Sequence, residues 1–324
     1  MGKINWDNCE GKNPENYARK LLKICNIKEP PIDDRIIIDY LDLTIIPVNQ
    51  TVIDEWFESC SNSFPVPSFI NNLQKTGAWL HKDTNGKSSI YIYKDLHFRR
   101  IRTSIFHEIG HVIIPWHGDF FYKCEEMDIV DPTSRIPLEK EAFKCASELM
   151  MPGEKFIDDA MSLKTSISSI ITLGERYNTS LEATAIRYCT IMPRDCAMLM
   201  VEPRRAHQPE NHVDEYCQTH SVLFTPSDYP LKLSEEAHQY PLSVSYCVSS
   251  SKYMGYAKKG TGINENNPIF ETLITGKPFK GKIHASVWGS SKNISYDAEC
   301  RKLSNTGKVL VLLWRPDNRL WFDF

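Results

Sequence analysis

Arg99-Arg100-Ile101-Arg102-Thr103-Ser104-Ile105-Phe106-His107-Glu108-Ile109-Gly110-His111 places the pattern H-E-x-x-H inside a run with helical character. Residues four apart on a helix rise from one face on successive turns. The His107 and His111 imidazoles can therefore reach one divalent ion, and Glu108 lies beside the coordination position left open. Phe106, Ile109, Gly110, Val112 and Ile113 suit burial of this helix in a core, and Pro115 supplies a stop soon after the second histidine. Three fixed characters in five also arise by accident, so the alternative is a buried amphipathic helix carrying two satisfied histidines. The pattern points to a zinc-dependent hydrolytic site.

A tetrahedral catalytic zinc needs a third protein ligand and leaves its fourth position for water. Two candidates compete. His117 extends the first motif to the H-E-x-x-H-x-x-G-x-x-H spacing of metzincins, but Ile114 stands where the turn glycine belongs, and a branched residue tolerates positive φ poorly. Glu141 lies in a second helical stretch, Glu139 to Met151, ended by Pro152. An antiparallel helix there can bring one carboxylate to the metal.

The chain resembles the ImmA/IrrE family of zinc metallopeptidases. Two ordered segments carry the resemblance: Arg100-Ile101-Arg102-Thr103-Ser104-Ile105-Phe106-His107-Glu108-Ile109-Gly110-His111, and then Glu141-Ala142-Phe143-Lys144-Cys145-Ala146-Ser147-Glu148-Leu149-Met150-Met151-Pro152. Thr103, Phe143 and Cys145 depart from the residues usual in the family, and none of these departures removes a ligand. The resemblance spans roughly residues 14 to 200 and implies Glu141 as the third ligand beside His107 and His111. It also implies a zinc-dependent endopeptidase whose protein substrate is a helix-turn-helix transcriptional repressor of a mobile element or stress regulon. In such a site Glu108 is the general base and acid, taking a proton from water and delivering it to the leaving amine. Glu148, seven residues after Glu141 and so on the same helical face, is a candidate to accept the free N–H of a ligand histidine. The competing function is a noncatalytic metal-binding regulator that displaces a repressor partner; an intact Glu108 favours the peptidase.

The rest of the chain sets the architecture around this site. A length of 324 residues suggests about two domains. With 38 basic and 41 acidic residues the net charge is only -3, which gives no reason to expect nucleic acid or an anionic membrane as the main partner. No apolar run approaches the roughly 20 residues that span a bilayer, and the start lacks the apolar core of a signal peptide, so a cytoplasmic location is expected. Ten cysteines without a C-x-x-C pair read as reduced thiols, with Cys25, Cys145 and Cys189 in the core.

Residues 14 to 26 and 31 to 41 have helical periodicity and are separated by Pro30-Pro31. Leu43 to Val48 reads as a strand, placed at a sheet edge by Pro47. Ala78 to His81 and Ser89 to Tyr93 flank the hairpin punctuation Asp83-Thr84-Asn85-Gly86. Gly118 to Pro137 reads as a loop forming part of the cleft wall. Residues 170 to 187 superficially suggest helix-turn-helix, but their basic content is poor, so packing is the better reading.

The expected fold class is α+β: a mainly helical, zincin-like catalytic domain with a small sheet over residues 1–202, a polar linker over 203–240, and a C-terminal α+β domain over 241–324. Some relatives in the resembling family carry a sensor-like second domain, so the resemblance alone implies a sensory or regulatory role for this one, and no residue pattern in it identifies a ligand. Its markers are strand-like Leu242 to Val248 and Val309 to Trp314, with a helix near Pro268 to Thr275. Cys196 to Val201 also reads as a strand. The substrate's identity, the activating signal and the oligomeric state lie beyond what the residues specify.

Overall fold

Local signals in the first hundred residues build the scaffold for the H-E-x-x-H helix. In the computed structural model, described over residues 13–53, 77–82, 86–118, 132–204, 241–255, 257–288, 293–303 and 307–315, helix α1 (Pro14–Ile24) starts with proline at its first position. The Asn13 side chain caps it by accepting from the Glu15 N–H at 3.1 Å. Tyr17, Ala18, Leu21 and Leu22 form its buried stripe, as the helical spacing predicts. Helix α2 (Asp34–Tyr40) is capped in the same way by Asp33 and buries Ile37.

Strands β1 (Thr44–Val48), β2 (Ala78–Lys82) and β3 (Ser88–Tyr93) form a small sheet in the order β1-β3-β2. β1 runs parallel to β3, and β2 pairs with it antiparallel. Pro47 therefore sits on an edge strand, where its missing N–H costs no ladder bond. The residues between β2 and β3 that carry the hairpin signal, 83 to 85, lie outside the described residues.

Helix α3 (Phe98–Ile113) carries the metal motif and is buried from Arg102 through His111. The Arg102 guanidinium holds it in place by donating to the backbone carbonyls of Ile32 (2.6 Å), Asn178 (3.2 Å) and Tyr177 (3.3 Å). Helix α4 (Pro132–Met150) packs on α3, and α1 packs on α4. Ala142, Cys145, Ala146 and Leu149 form the buried side of α4. Most of the segment expected to wall the cleft, residues 119 to 131, lies outside the described residues.

Three further helices follow: α5 (Gly153–Met161), α6 (Ile167–Tyr177) and α7 (Leu181–Ile191). Between α6 and α7, Asn178 takes a left-handed conformation at φ 52°. Ile170, Leu173 and Tyr177 on α6, and Ala183, Ala185 and Tyr188 on α7, are buried. This is the pattern of helices used for packing.

The second sheet is antiparallel and six-stranded. Its members are β4 (Cys196–Pro203), β5 (Leu242–Ser249), β6 (Gly262–Ile263), β7 (Phe279–His284), β8 (Ser295–Lys302) and β9 (Val309–Trp314), in the order β6-β5-β4-β9-β8-β7. Helix α8 (Pro268–Thr275) begins at a proline after an Asn267 cap and ends at Gly276 with φ 71°. Its Ile269 and Leu273 join Leu199, Val201, Val311, Leu313 and Trp288 in one core. α7 packs on β4 and β5.

Contacts divide the chain into two units: residues 1–155 with 175–180, and residues 156–174 with 181–324. The sequence places residues 196 to 202 with the catalytic domain. In the structure these residues are central to the second sheet, because β4 pairs with both β5 and β9. The run Cys196 to Val201 is buried at every position, as expected for a strand covered on both faces. A chain ending at Val201 would keep these apolar residues and lose both neighbouring strands, and we expect it to aggregate. Gel filtration and light scattering of residues 1–201 check this. A soluble monomer would instead favour the earlier boundary. The expected linker, 203–240, falls almost wholly outside the described residues.

Candidate metal centre

The three side chains that meet at the centre come from two helices. His107 and His111 project from α3 one turn apart, with Nε2 atoms 3.2 Å from each other. From α4, Glu139 Oε2 lies 2.9 Å from His107 Nε2 and 3.4 Å from His111 Nε2. Among the described residues these three form the group whose ligand atoms converge closely enough to hold a metal ion. Ligands at roughly 2.0–2.1 Å from a tetrahedral zinc stand about 3.3 Å apart, so the separations fit such an ion. The donor set is also chemically suitable, with two imidazole nitrogens and one carboxylate oxygen around a common point.

The carboxylate the structure brings to the histidines is thus Glu139 rather than the expected Glu141. Glu141 Oε2 instead accepts from Trp116 Nε1 at 2.6 Å and contacts His117 Nε2 at 3.1 Å. The reason is the crossing of α3 and α4. A Cβ on Gly110 would stand 2.9 Å from the Ala142 carbonyl oxygen and 3.2 Å from its Cα, so the two backbones nearly touch there. Around the helix axis Glu139 lies about 60° to one side of Ala142 and Glu141 about 100° to the other. It is the Glu139 side that faces the imidazoles, with Oε2 2.9 Å from His107 Nε2 and 3.4 Å from His111 Nε2.

His117 is also not placed as a ligand. Ile114, extended at ψ 112° ahead of Pro115, ends α3, and a short turn then folds His117 back beneath His111. His117 is fully buried, with Nδ1 3.0 Å from His111 Nδ1, on the side of that ring away from the cluster. Glu148, the expected support for a ligand histidine, accepts from Arg19 Nε at 2.8 Å and from the Gly153 N–H at 3.1 Å. It ties the end of α4 to α1 and to the start of α5.

Burial and the neighbouring carboxylates push the two histidines in opposite directions. Desolvation pushes the His111 pKa down to about 4, with the neighbouring His107 and His117 adding to the effect, so its imidazole is neutral near pH 7 and able to ligate. At His107 desolvation opposes the charge, but the Glu139 carboxylate and Glu108 outweigh it and raise the pKa. Glu108 is itself buried beside His107. Phe143 covers the His107 ring at 4.2 Å between centroids. A cavity of about 450 Å³ opens beside His111, walled by Leu41 to Leu43, by Leu80 and Lys82 of β2, and by Lys87. The six described cysteines are all free thiols. Burial raises the pKa of Cys145 and Cys189, as befits core residues.

Two helices that offer two histidines and a glutamate to one point define a metal centre of the H-E-x-x-H type. Residues 62–188 match the family model described as the IrrE N-terminal-like domain, peptidase M78. No curated protein sequence matches the chain. Among solved structures, a Mycobacterium tuberculosis transcriptional regulator is similar in fold. The TM-score is 0.51 at 10% sequence identity, covering 93% of this chain and 75% of that one. No helix among the described residues is long and apolar enough to cross a membrane.

Proposed function

We propose that the protein is a zinc-dependent endopeptidase that cuts a specific protein. The observation that carries this reading is the convergence of His107, His111 and Glu139, with Glu108 adjacent, in a domain that matches the M78 family model. Zinc held by those three side chains supplies Lewis acidity and lowers the pKa of water toward neutrality. Glu108 accepts the proton of the attacking water and passes it to the departing amine. Its place next to His107 in the sequence and its burial put the carboxylate beside the three ligands. The cavity beside His111 offers space for substrate side chains, with Lys82 and Lys87 in its wall.

The substrate we propose is a helix-turn-helix transcriptional repressor in the cytoplasm, a reading that rests on the ImmA/IrrE resemblance. The test is to incubate the zinc-loaded full chain with purified repressors of this class and follow fragments by mass spectrometry. A discrete pair of fragments, suppressed by 1,10-phenanthroline, supports the peptidase. Stable complex formation with no fragment under any condition would turn the reading toward a noncatalytic, metal-binding regulator.

A further inference from the structure

His117 and Glu141 are the two residues the sequence offers as third ligand, and neither sits in the metal cluster. They are nevertheless joined to it. The His111 Nε2 atom lies in the cluster, 3.2 Å from His107 Nε2 and 3.4 Å from Glu139 Oε2. Its other nitrogen, Nδ1, is 3.0 Å from His117 Nδ1. His117 Nε2 is 3.1 Å from Glu141 Oε2, which also accepts from Trp116 Nε1 at 2.6 Å. Trp116 packs edge-on against Tyr17 of α1, with ring centroids 5.5 Å apart.

We infer that His117 and Glu141 are positioning residues that fix His111 in the tautomer able to bind the metal. The inference rests on the metal centre proposed above. Ligation through Nε2 requires that nitrogen to be bare, so the proton of neutral His111 resides on Nδ1. It then donates to His117 Nδ1, 3.0 Å away. His117 must accept there and so carries its own proton on Nε2, which it donates to Glu141. The Glu141 carboxylate is an acceptor only and completes the chain, held in place by the Trp116 N–H. Every hydrogen atom between His111 and Glu141 therefore has one position compatible with ligation.

The physical consequence is twofold. The imidazole cannot rotate or exchange tautomers without breaking a buried hydrogen bond. The carboxylate at the far end also polarises both rings, which makes His111 Nε2 a stronger electron-pair donor. His107 lacks such support, because its Nδ1 is buried with no hydrogen-bond partner among the described residues. This asymmetry makes His111 the anchored ligand of the pair.

Zinc affinity, measured by competition with a fluorescent chelator on the full chain, tests the inference without recourse to activity. Partners of this kind are worth roughly 10–100-fold in metal affinity, so His117→Leu and Glu141→Leu should each weaken zinc binding by that factor. His117→Gln, whose amide can accept from His111 and donate to Glu141, should stay within about threefold of wild type. The double variant His117→Leu with Glu141→Leu should lose no more than the weaker single variant, because both cut one chain. In 15N-histidine spectra of the zinc-loaded chain, His111 should show a protonated Nδ1, with that signature lost in His117→Leu. Should His117→Leu fail to fold, Glu141→Leu carries the test, since that side chain is 29% exposed.

Equal affinities in wild type and both leucine variants overturn the relay while leaving the metal centre standing. Equal losses in His117→Leu and His117→Gln also overturn it, by showing that packing alone matters. Complete loss of zinc in Glu141→Leu with retention in Glu139→Ala would make Glu141 a ligand and overturn it as well. A wild-type chain that binds no zinc is the separate result that removes the metal centre itself.

Discussion

Glu139→Ala should leave the purified protein essentially free of zinc after gel filtration, whereas Glu141→Ala should retain the ion with reduced affinity. The expectation follows from which oxygen lies among the imidazole nitrogens: Glu139 Oε2 is 2.9 Å from His107 Nε2, while Glu141 Oε2 is occupied by Trp116 and His117. Removing a ligand takes away one of three protein bonds to the ion and leaves two imidazoles that must share its charge with water. The loss should therefore exceed the roughly 100-fold that marks the upper end for a residue acting through a ligand. Metal analysis by mass spectrometry, with chelator competition to rank affinities, reads both variants directly. Zinc retained in Glu139→Ala and absent from Glu141→Ala would reverse the assignment and return the third ligand to the carboxylate implied by the family resemblance.

Glu108→Gln separates metal binding from chemistry. The substitution keeps the size of a side chain that is only 9% exposed and leaves His107, His111 and Glu139 in place. An amide cannot accept the proton that the carboxylate takes from water. Zinc content should match wild type, while the rate of repressor cleavage should fall by about 10²–10⁴-fold, the range typical of general acid–base catalysis. Cleavage at the wild-type rate by zinc-loaded Glu108→Gln would remove Glu108 from the role of base. Zinc loss in this variant would show instead that the carboxylate supports the ligands. Its influence on His107, where it helps to raise the pKa, makes that outcome worth measuring in the same experiment.

The relay from His111 through His117 to Glu141 gives a physical reason for two residues that earlier compete as ligands. Both are chemically able to bind zinc, and the sequence carries no information on which face of His111 each will meet. A metal site is not finished at its ligands, because the partner on the far nitrogen of an imidazole sets the ring's tautomer and orientation. Here that partner comes from the turn directly after α3, where Pro115 ends the helix and Ile114 redirects the chain. The proline that marks a helix stop in the sequence thereby places His117.

Much of the scaffold could be read from local patterns because the forces involved are local. Asn13 before Pro14, Asn267 before Pro268 and Gly276 after Thr275 fix helix ends through caps and backbone conformation within a few residues. Period-3.6 stripes identified α1 and the H-E-x-x-H helix, and the apolar run Val309 to Trp314 identified β9. The spacing of His107 and His111 needs only one helix to become a metal-binding pair, so it too was legible before any tertiary contact was known.

The tertiary structure alone decided the features that depend on how separate elements cross. The strand β4 lies 40 residues or so from β5 and more than 100 from β9 along the chain, so its membership in the second sheet could not be read from its own residues. The buried stripe of α4 left Glu139 and Glu141 on opposite flanks of Ala142, each able to reach a neighbouring helix. The close approach of Gly110 to Ala142 holds the two helices together between those flanks, and the Glu139 flank is the one that meets the imidazoles. Sequence determined that two histidines and a glutamic acid beside them stand on one buried helix. Packing of a second helix against a residue without a side chain determined which carboxylate completes the site.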